Sequence, residues 1–256
     1  MRYSANLSML FTEVSMPERF ALARQHGFSA VEIQFPYQWP AADIRQWLDE
    51  NNLNLVLFNV DADTLLQGGE GLAAVPSKRQ EFQAALYQAA EYAKVLQPHC
   101  INVLPGRCLQ VDLKADYRQC LIDNLRLACD MLAAIKVTTV FEAINSLDMP
   151  GFLVDDHAAM LQILEAVNHS GLKLQYDIYH MARMRQDIAG FWGEHLDQIA
   201  HIQFADCPGR HEPGTGQLDF TRLFAELEKF GYQGFLGAEY KPLISTPESL
   251  NWFKAD

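Results

Sequence analysis

Several things are scarce in this 256-residue sequence, and each shortage removes a class of function. Basic residues are few: 20 Lys and Arg stand against 32 Asp and Glu, the formal net charge is -12, and no basic run exceeds the pair Lys78-Arg79. A phosphate backbone would be repelled by such a field, so nucleic acid is not an expected partner. Long apolar runs are missing too, and nothing approaches the roughly 20 residues a membrane span requires. The opening Met1-Arg2-Tyr3-Ser4-Ala5-Asn6 has no apolar stretch of the secretory kind. A cytoplasmic protein without a membrane partner is expected. The five cysteines (Cys100, Cys108, Cys120, Cys129, Cys207) are odd in number and form no C-x-x-C pair, which points to reduced, buried thiols. H-E-x-x-H, G-x-S-x-G, Walker A and dinucleotide fingerprints are all lacking, so no organic cofactor is expected. No Pro/Ser-rich linker interrupts the chain, which reads as one domain over residues 1–256.

What is present is a repeating α/β pattern with 49% hydrophobic residues, enough for a continuous core. Strands are expected near Tyr3–Leu7, Ala30–Ile33, Asn54–Val60, Cys100–Leu104, Thr138–Ala143, Lys173–Ile178, His201–Ala205 and Phe235–Tyr240. Helical periodicity fills the gaps, for example at Met16–His26, Lys78–Leu96, Asp116–Ile135, Asp156–Val167 and Asp219–Phe230. Pro17 opens the first of these, Asp219 is a good N-cap, and Gly27 and Gly231 follow helix ends. Eight such units predict a TIM (β/α)8 barrel rather than an open sheet. Gln67–Val75 reads as a flexible loop over one end.

Active sites of such barrels lie where the strands end. Those positions hold Asn6, Glu32, Asn59, Asn102, Glu142, Asp177, Gln203 and Glu239. Polar residues often follow strands merely as turn or cap residues, which suffices for Asn6 or Asn59. It does not suffice for Glu142 in Thr-Val-Phe-Glu-Ala-Ile or Glu239 in Phe-Leu-Gly-Ala-Glu-Tyr. A lone carboxylate in an apolar strand is costly unless it is paired or binds a metal. Glu142, Asp177, Gln203 and Glu239 close four consecutive strands and offer only oxygen, a donor set that favours Mg2+ or Mn2+ over zinc. Arg107, Arg210 and Lys241 follow strand ends and are candidates for an anionic substrate, with His180 and His211 as hydrogen-bonding partners. Tyr37, Trp39 and Trp192 could wall the pocket.

Three stretches carry a resemblance: Phe141-Glu142-Ala143-Ile144-Asn145, Tyr176-Asp177-Ile178-Tyr179-His180-Met181 and Pro213-Gly214-Thr215-Gly216-Gln217-Leu218-Asp219. With Gly27-Phe28-Ser29-Ala30-Val31-Glu32 and Phe35-Pro36-Tyr37, they resemble the xylose-isomerase-like barrels. Among those they are most similar to the hydroxypyruvate isomerase family and its relatives acting on 2-oxo-tetronate. The resemblance spans essentially the whole chain. It implies that Glu142 and Glu239 donate and accept the proton, that the metal shell is Glu142, Asp177, Gln203 and Glu239, and that His180 of the D-x-x-H spacing touches substrate. The expected partner is a small anionic sugar acid. A homo-oligomer is left open. Two other readings stand beside this one: a ketose 3-epimerase acting on a neutral sugar, and a barrel that binds a sugar acid without catalysis. Related epimerases carry histidine where Gln203 stands, and the endonuclease IV branch uses many more histidines, so Gln203 weighs against both enzymes.

Overall fold

The structure, a computed structural model, describes residues 1–253. Eight parallel strands close into a barrel in simple chain order: β1 Arg2–Asn6, β2 Ala30–Glu32, β3 Asn54–Asn59, β4 Cys100–Asn102, β5 Thr138–Glu142, β6 Leu172–Asp177, β7 Ile199–Phe204 and β8 Phe235–Ala238. Helices α1 Met16–Gln25, α2 Ala41–Glu50, α3 Arg79–Leu96, α4 Lys114–Ala133, α5 His157–Val167, α6 Ile178–Arg183, α7 Ile188–His195, α8 Phe220–Lys229 and α9 Thr246–Ser249 connect or follow them. The end signals act as their chemistry requires. Ser15 and Glu18 form a reciprocal capping box at α1, and Pro17 sits in its first turn. Asp219 accepts from the backbone N–H of Arg222 to cap α8. Gly27 and Gly231 take φ of +96° and +79°, open to glycine at no steric cost.

Strand side chains alternate between the helix layer and the interior, and this period of two builds the site. Outward residues such as Phe58, Phe141, Leu174 and Phe204 join Phe20, Phe82, Leu86 and Trp192 of the helices in the main core. Inward residues form layers. Two positions before Glu32, Asn59, Asn102 and Glu142 stand Ala30, Leu57, Cys100 and Val140, which form a small apolar cluster of their own with Val56. Two positions before Asn6, Asp177, Gln203 and Glu239 stand Ser4, Gln175, His201 and Gly237. One half of the floor beneath the strand ends is therefore apolar, and the other half is polar or bare.

Two expectations need correction. Residues 67–75 are not a loose cover: Leu72, Ala73, Ala74 and Val75 are buried, and Asn124 Nδ2 donates to the Ala73 carbonyl at 2.7 Å. The last strand stops at Ala238, so Glu239 lies one residue past it, although its N–H still donates to the Phe204 carbonyl at 3.1 Å. All five cysteines are unpaired; Cys100, Cys108, Cys120 and Cys129 are buried, whereas Cys207 is partly exposed.

Candidate active site

A cavity of about 370 Å³ opens at the strand C-termini, with Glu142, Glu239, Gln175, His180, Arg210 and Lys241 in its wall. Its apolar lining is Phe35, Leu66, Leu104, Ile144 and Met149 rather than the expected Tyr37, Trp39 and Trp192. Trp192 is fully buried in the core, and Tyr37 turns its hydroxyl to the Asn59 carbonyl. A larger open groove of about 670 Å³ near Arg2, His99 and Gln233 lies where strands begin and gathers no comparable set of carboxylates.

The two glutamates are held by different donors. Glu142 accepts from Asn102 Nδ2 at 2.8 Å and from Gln175 Nε2 at 3.0 Å. Burial, with Glu239 and Asp177 nearby, pushes its carboxyl well above the ordinary range. Glu239 accepts from Asn6 Nδ2 at 3.0 Å, Gln34 Nε2 at 2.9 Å and the Arg210 guanidinium at 2.8 Å. Gln34 and Gln175 were not singled out from sequence, and Asn102 was named there only as a polar strand end, although Gln175 lies at the i-2 position from Asp177 and so must share its face.

Asp177 ends β6 and caps α6. One oxygen accepts from the backbone N–H groups of Tyr179 and His180 at 2.7 and 3.4 Å. The other lies 3.5 Å from His180 Nε2 and 3.9 Å from Arg210. Burial raises this carboxyl as well, against the pull of Arg210. His180 is oriented by Asn145, whose amide has no freedom to flip. Asn145 Oδ1 must accept from the Asp148 N–H, and its Nδ2 must donate to the Asp148 carboxylate. That Nδ2 also faces His180 Nδ1 at 2.7 Å, which makes Nδ1 the acceptor and leaves the hydrogen of the neutral ring on Nε2. Burial holds the ring well below its ordinary pKa.

Ligand atoms of Glu142, Asp177 and His180 all lie within 4.8 Å of one another, a group able to hold a divalent metal. The donor chemistry fits one: three buried carboxylates face a single guanidinium, and the Oε1 of Gln175 and Oδ1 of Asn102 are buried without partners. In the His180 tautomer fixed by Asn145, Nε2 is a donor, so the oxygen groups remain the natural ligands. Gln203 and Asp177 stand behind the cavity wall. Gln203 Oε1 accepts from Gln175 Nε2 at 2.6 Å, and its Nε2 donates to Glu32 at 2.7 Å.

Of the expected substrate cations, Arg210 and Lys241 reach the cavity and Arg107 does not. Arg107 donates to the carbonyls of Pro150 and Gly68 at 2.7 and 2.8 Å, tying the loops after β5 and β3 to its own. His211 accepts no cavity position; its Nδ1 lies 2.7 Å from the Lys241 carbonyl. Arg210 owes its place to Asp206, a residue that sequence did not mark. The buried Asp206 carboxylate accepts from the N–H groups of Cys207, Gly214, Gly216 and Leu218 at 2.8 to 3.1 Å. The Pro-Gly-Thr-Gly stretch thus wraps a carboxylate. A Cβ on Gly216 would sit 2.3 Å from the Cys207 carbonyl, so glycine is needed there.

A closed parallel barrel with two buried glutamates, a group able to hold a metal and two cations around one cavity at its strand ends is the arrangement of an enzyme active site. The comparisons agree. The family model of the xylose isomerase-like TIM barrel matches residues 20–256. Hydroxypyruvate isomerase of Escherichia coli is 37% identical over 98% of both chains, and 2-oxo-tetronate isomerase of Cupriavidus necator is 38% identical over 99% of this chain and 97% of its own. A solved Brucella melitensis structure, described as an AP endonuclease of family 2, is 35% identical with a TM-score of 0.95 and covers 98% and 97% of the two chains. The chain belongs to the xylose isomerase-like TIM barrel family, and it is an isomerase.

Proposed function

We propose that this enzyme interconverts the ketone and aldehyde forms of a small 2-oxo sugar acid, such as hydroxypyruvate and tartronate semialdehyde or the four-carbon 2-oxo-tetronate pair. The observation that carries this reading is the presence of two buried glutamates, Glu142 and Glu239, in one cavity with the cations Arg210 and Lys241. A hydrogen on the hydroxyl-bearing carbon leaves as a proton to one glutamate, and its electron pair forms the enediolate. A proton then returns to the former carbonyl carbon while the hydroxyl proton passes between the two oxygens. The hydrogen count is unchanged, and no oxidant is needed. Glu142, Asp177, Gln203 and Glu239 would hold Mg2+ or Mn2+, which supplies positive charge to stabilise the enediolate oxygens. His180 Nε2–H donates to a substrate oxygen, while Lys241 and Arg210 face the carboxylate. Arg210 already pairs with Glu239, so a neutral ketose would leave Lys241 without an anionic partner in the cavity, and this disfavours epimerase chemistry.

The test is turnover of hydroxypyruvate, 2-oxo-tetronate and neutral ketoses followed by NMR, with the wild type and Lys241→Ala. One acid is turned over, no ketose is, and the substitution raises KM about tenfold with kcat nearly kept, as loss of uniform binding requires. Turnover of a ketose in preference to both acids would reject the reading.

A further inference from the structure

Glu32 lies below the cavity, fully buried, and the reaction outlined above makes no use of it. Its surroundings are built for a carboxylate. Ser4 Oγ donates at 2.6 Å, the His201 ring nitrogen lies at 2.8 Å, Gln203 Nε2 donates at 2.7 Å and Asn6 Nδ2 at 3.4 Å. A Cβ on Gly237 would stand 2.1 Å from Glu32 Oε1, so the glycine of β8 leaves the space this side chain fills. These donors come from β1 and β7 and converge on one residue of β2.

We propose that Glu32 is a positioning residue of the active site, fixing the Gln203 amide so that its carbonyl oxygen, not its NH2, is turned to the side of Glu142. The inference rests on reading Gln203 as a ligand of the divalent ion. An ionised carboxylate only accepts, so the group that Gln203 presents to Glu32 must be its NH2. The opposite atom is then oxygen by necessity, and Gln175 secures it by donating from one Nε2 to Gln203 Oε1 at 2.6 Å and Glu142 Oε2 at 3.0 Å. An amide at this position offers a metal either a good oxygen or a useless NH2, and only a neighbour can choose between them. A carboxylate would not face this choice.

Exchange of the pair tests the inference. In Glu32→Gln the acceptor-only partner is gone and both faces of Gln203 become acceptable, so Mn2+ binding, read by titration calorimetry or by the EPR signal of free Mn2+, weakens at least tenfold. In the double variant Glu32→Gln/Gln203→Glu, the new glutamine donates to the new carboxylate and an oxygen again faces Glu142. Mn2+ affinity returns to within about threefold of wild type, an outcome that a merely structural role for Glu32 does not produce. Unchanged Mn2+ affinity in Glu32→Gln, or no recovery in the double variant, overturns the inference. Should the single variant fail to fold, the exchanged pair decides alone: affinity within threefold of wild type supports the inference, and a tenfold loss overturns it. Gln203→Ala separates the two levels. If it binds Mn2+ as well as wild type, Gln203 is no ligand and the underlying reading fails. If it loses binding while Glu32→Gln does not, only the positioning role fails.

Discussion

Glu142 is the residue at which function and stability pull apart. Its carboxyl, like that of Asp177, titrates above the ordinary range because burial and neighbouring carboxylates disfavour the charge. A group whose folded pKa is raised contributes fully below its unfolded value and loses that contribution as pH climbs through the folded one. Above the ordinary carboxylate range, folding of the metal-free protein therefore works against this group, which must either bury its charge or take up a proton. Glu142→Gln is expected to raise the melting temperature of chelator-treated protein by a few degrees, where about 1 kcal/mol is ~2–4 °C for a chain of this size, while abolishing turnover. A lower melting temperature would contradict this electrostatic account. The positions of the glutamates were legible in sequence because each stands at the end of an apolar strand run. Their amide partners Gln175 and Gln34 were not, and Asn102 was legible only as a strand end, since an amide there has many uses and its partner depends on the register of another strand. Gln203 was read from sequence as a neutral oxygen donor, and its pairing with Glu32 across the barrel was not legible, because nothing local links a residue of β7 to one of β2.

At the scale of the elements, the loops set what the strand ends can do. The Asp206 carboxylate gathers the loop after β7, and Arg210 leaves from it toward Glu239. Asp206→Asn exchanges an acceptor of four N–H groups for an amide that cannot accept them all, and should cost about 2–3 kcal/mol and most of the activity, as seen in urea melts and initial rates. The Pro-Gly-Thr-Gly motif was visible in sequence, but the acid it wraps was not, because Asp206 sits eight residues upstream of Gly214. Arg107 was read as a substrate cation and instead ties three loops, so Arg107→Ala should lower stability by about 1–2 kcal/mol and leave KM for an anionic substrate within about threefold. The contact of α5 with β6 supplies a pH dependence. Burial lowers His157 from its ordinary 6.5 to about 4, and its ring meets the Tyr176 hydroxyl at 2.9 Å. Between those values the unfolded chain takes the proton and the native one does not, so stability falls as pH drops from 6.5 to 4. His157→Gln should flatten that part of a plot of melting temperature against pH.

At the scale of the whole molecule, the eight βα units were legible because period-two apolar strands alternate with capped amphipathic helices, and a closed barrel follows from their number. The burial of residues 72–75 was not legible, since a glycine-rich segment gives no sign that Asn124 and the Arg107 backbone will pin it. Closure is what brings β1, β2, β7 and β8 together, and so makes Asn6, Glu32, Gln203 and Glu239 neighbours although they are scattered along the chain. It also concentrates carboxylates in one end of an acidic protein, where Arg210 offsets only part of the charge. Adding Mg2+ or Mn2+ to chelator-treated protein should therefore raise its melting temperature, and more for wild type than for Asp177→Asn.

The central claim is that Glu142 and Glu239 move a proton on the carbon skeleton of a sugar acid. Exchange of carbon-bound hydrogen in D2O, followed by NMR on hydroxypyruvate and 2-oxo-tetronate, tests it most directly with wild type, Glu142→Gln and Glu239→Gln. The account predicts deuterium entering one acid as it isomerises, with turnover falling about 10²–10⁴-fold or more in each variant. No exchange into either acid with Mg2+ or Mn2+ present, or full exchange in both variants, would contradict it.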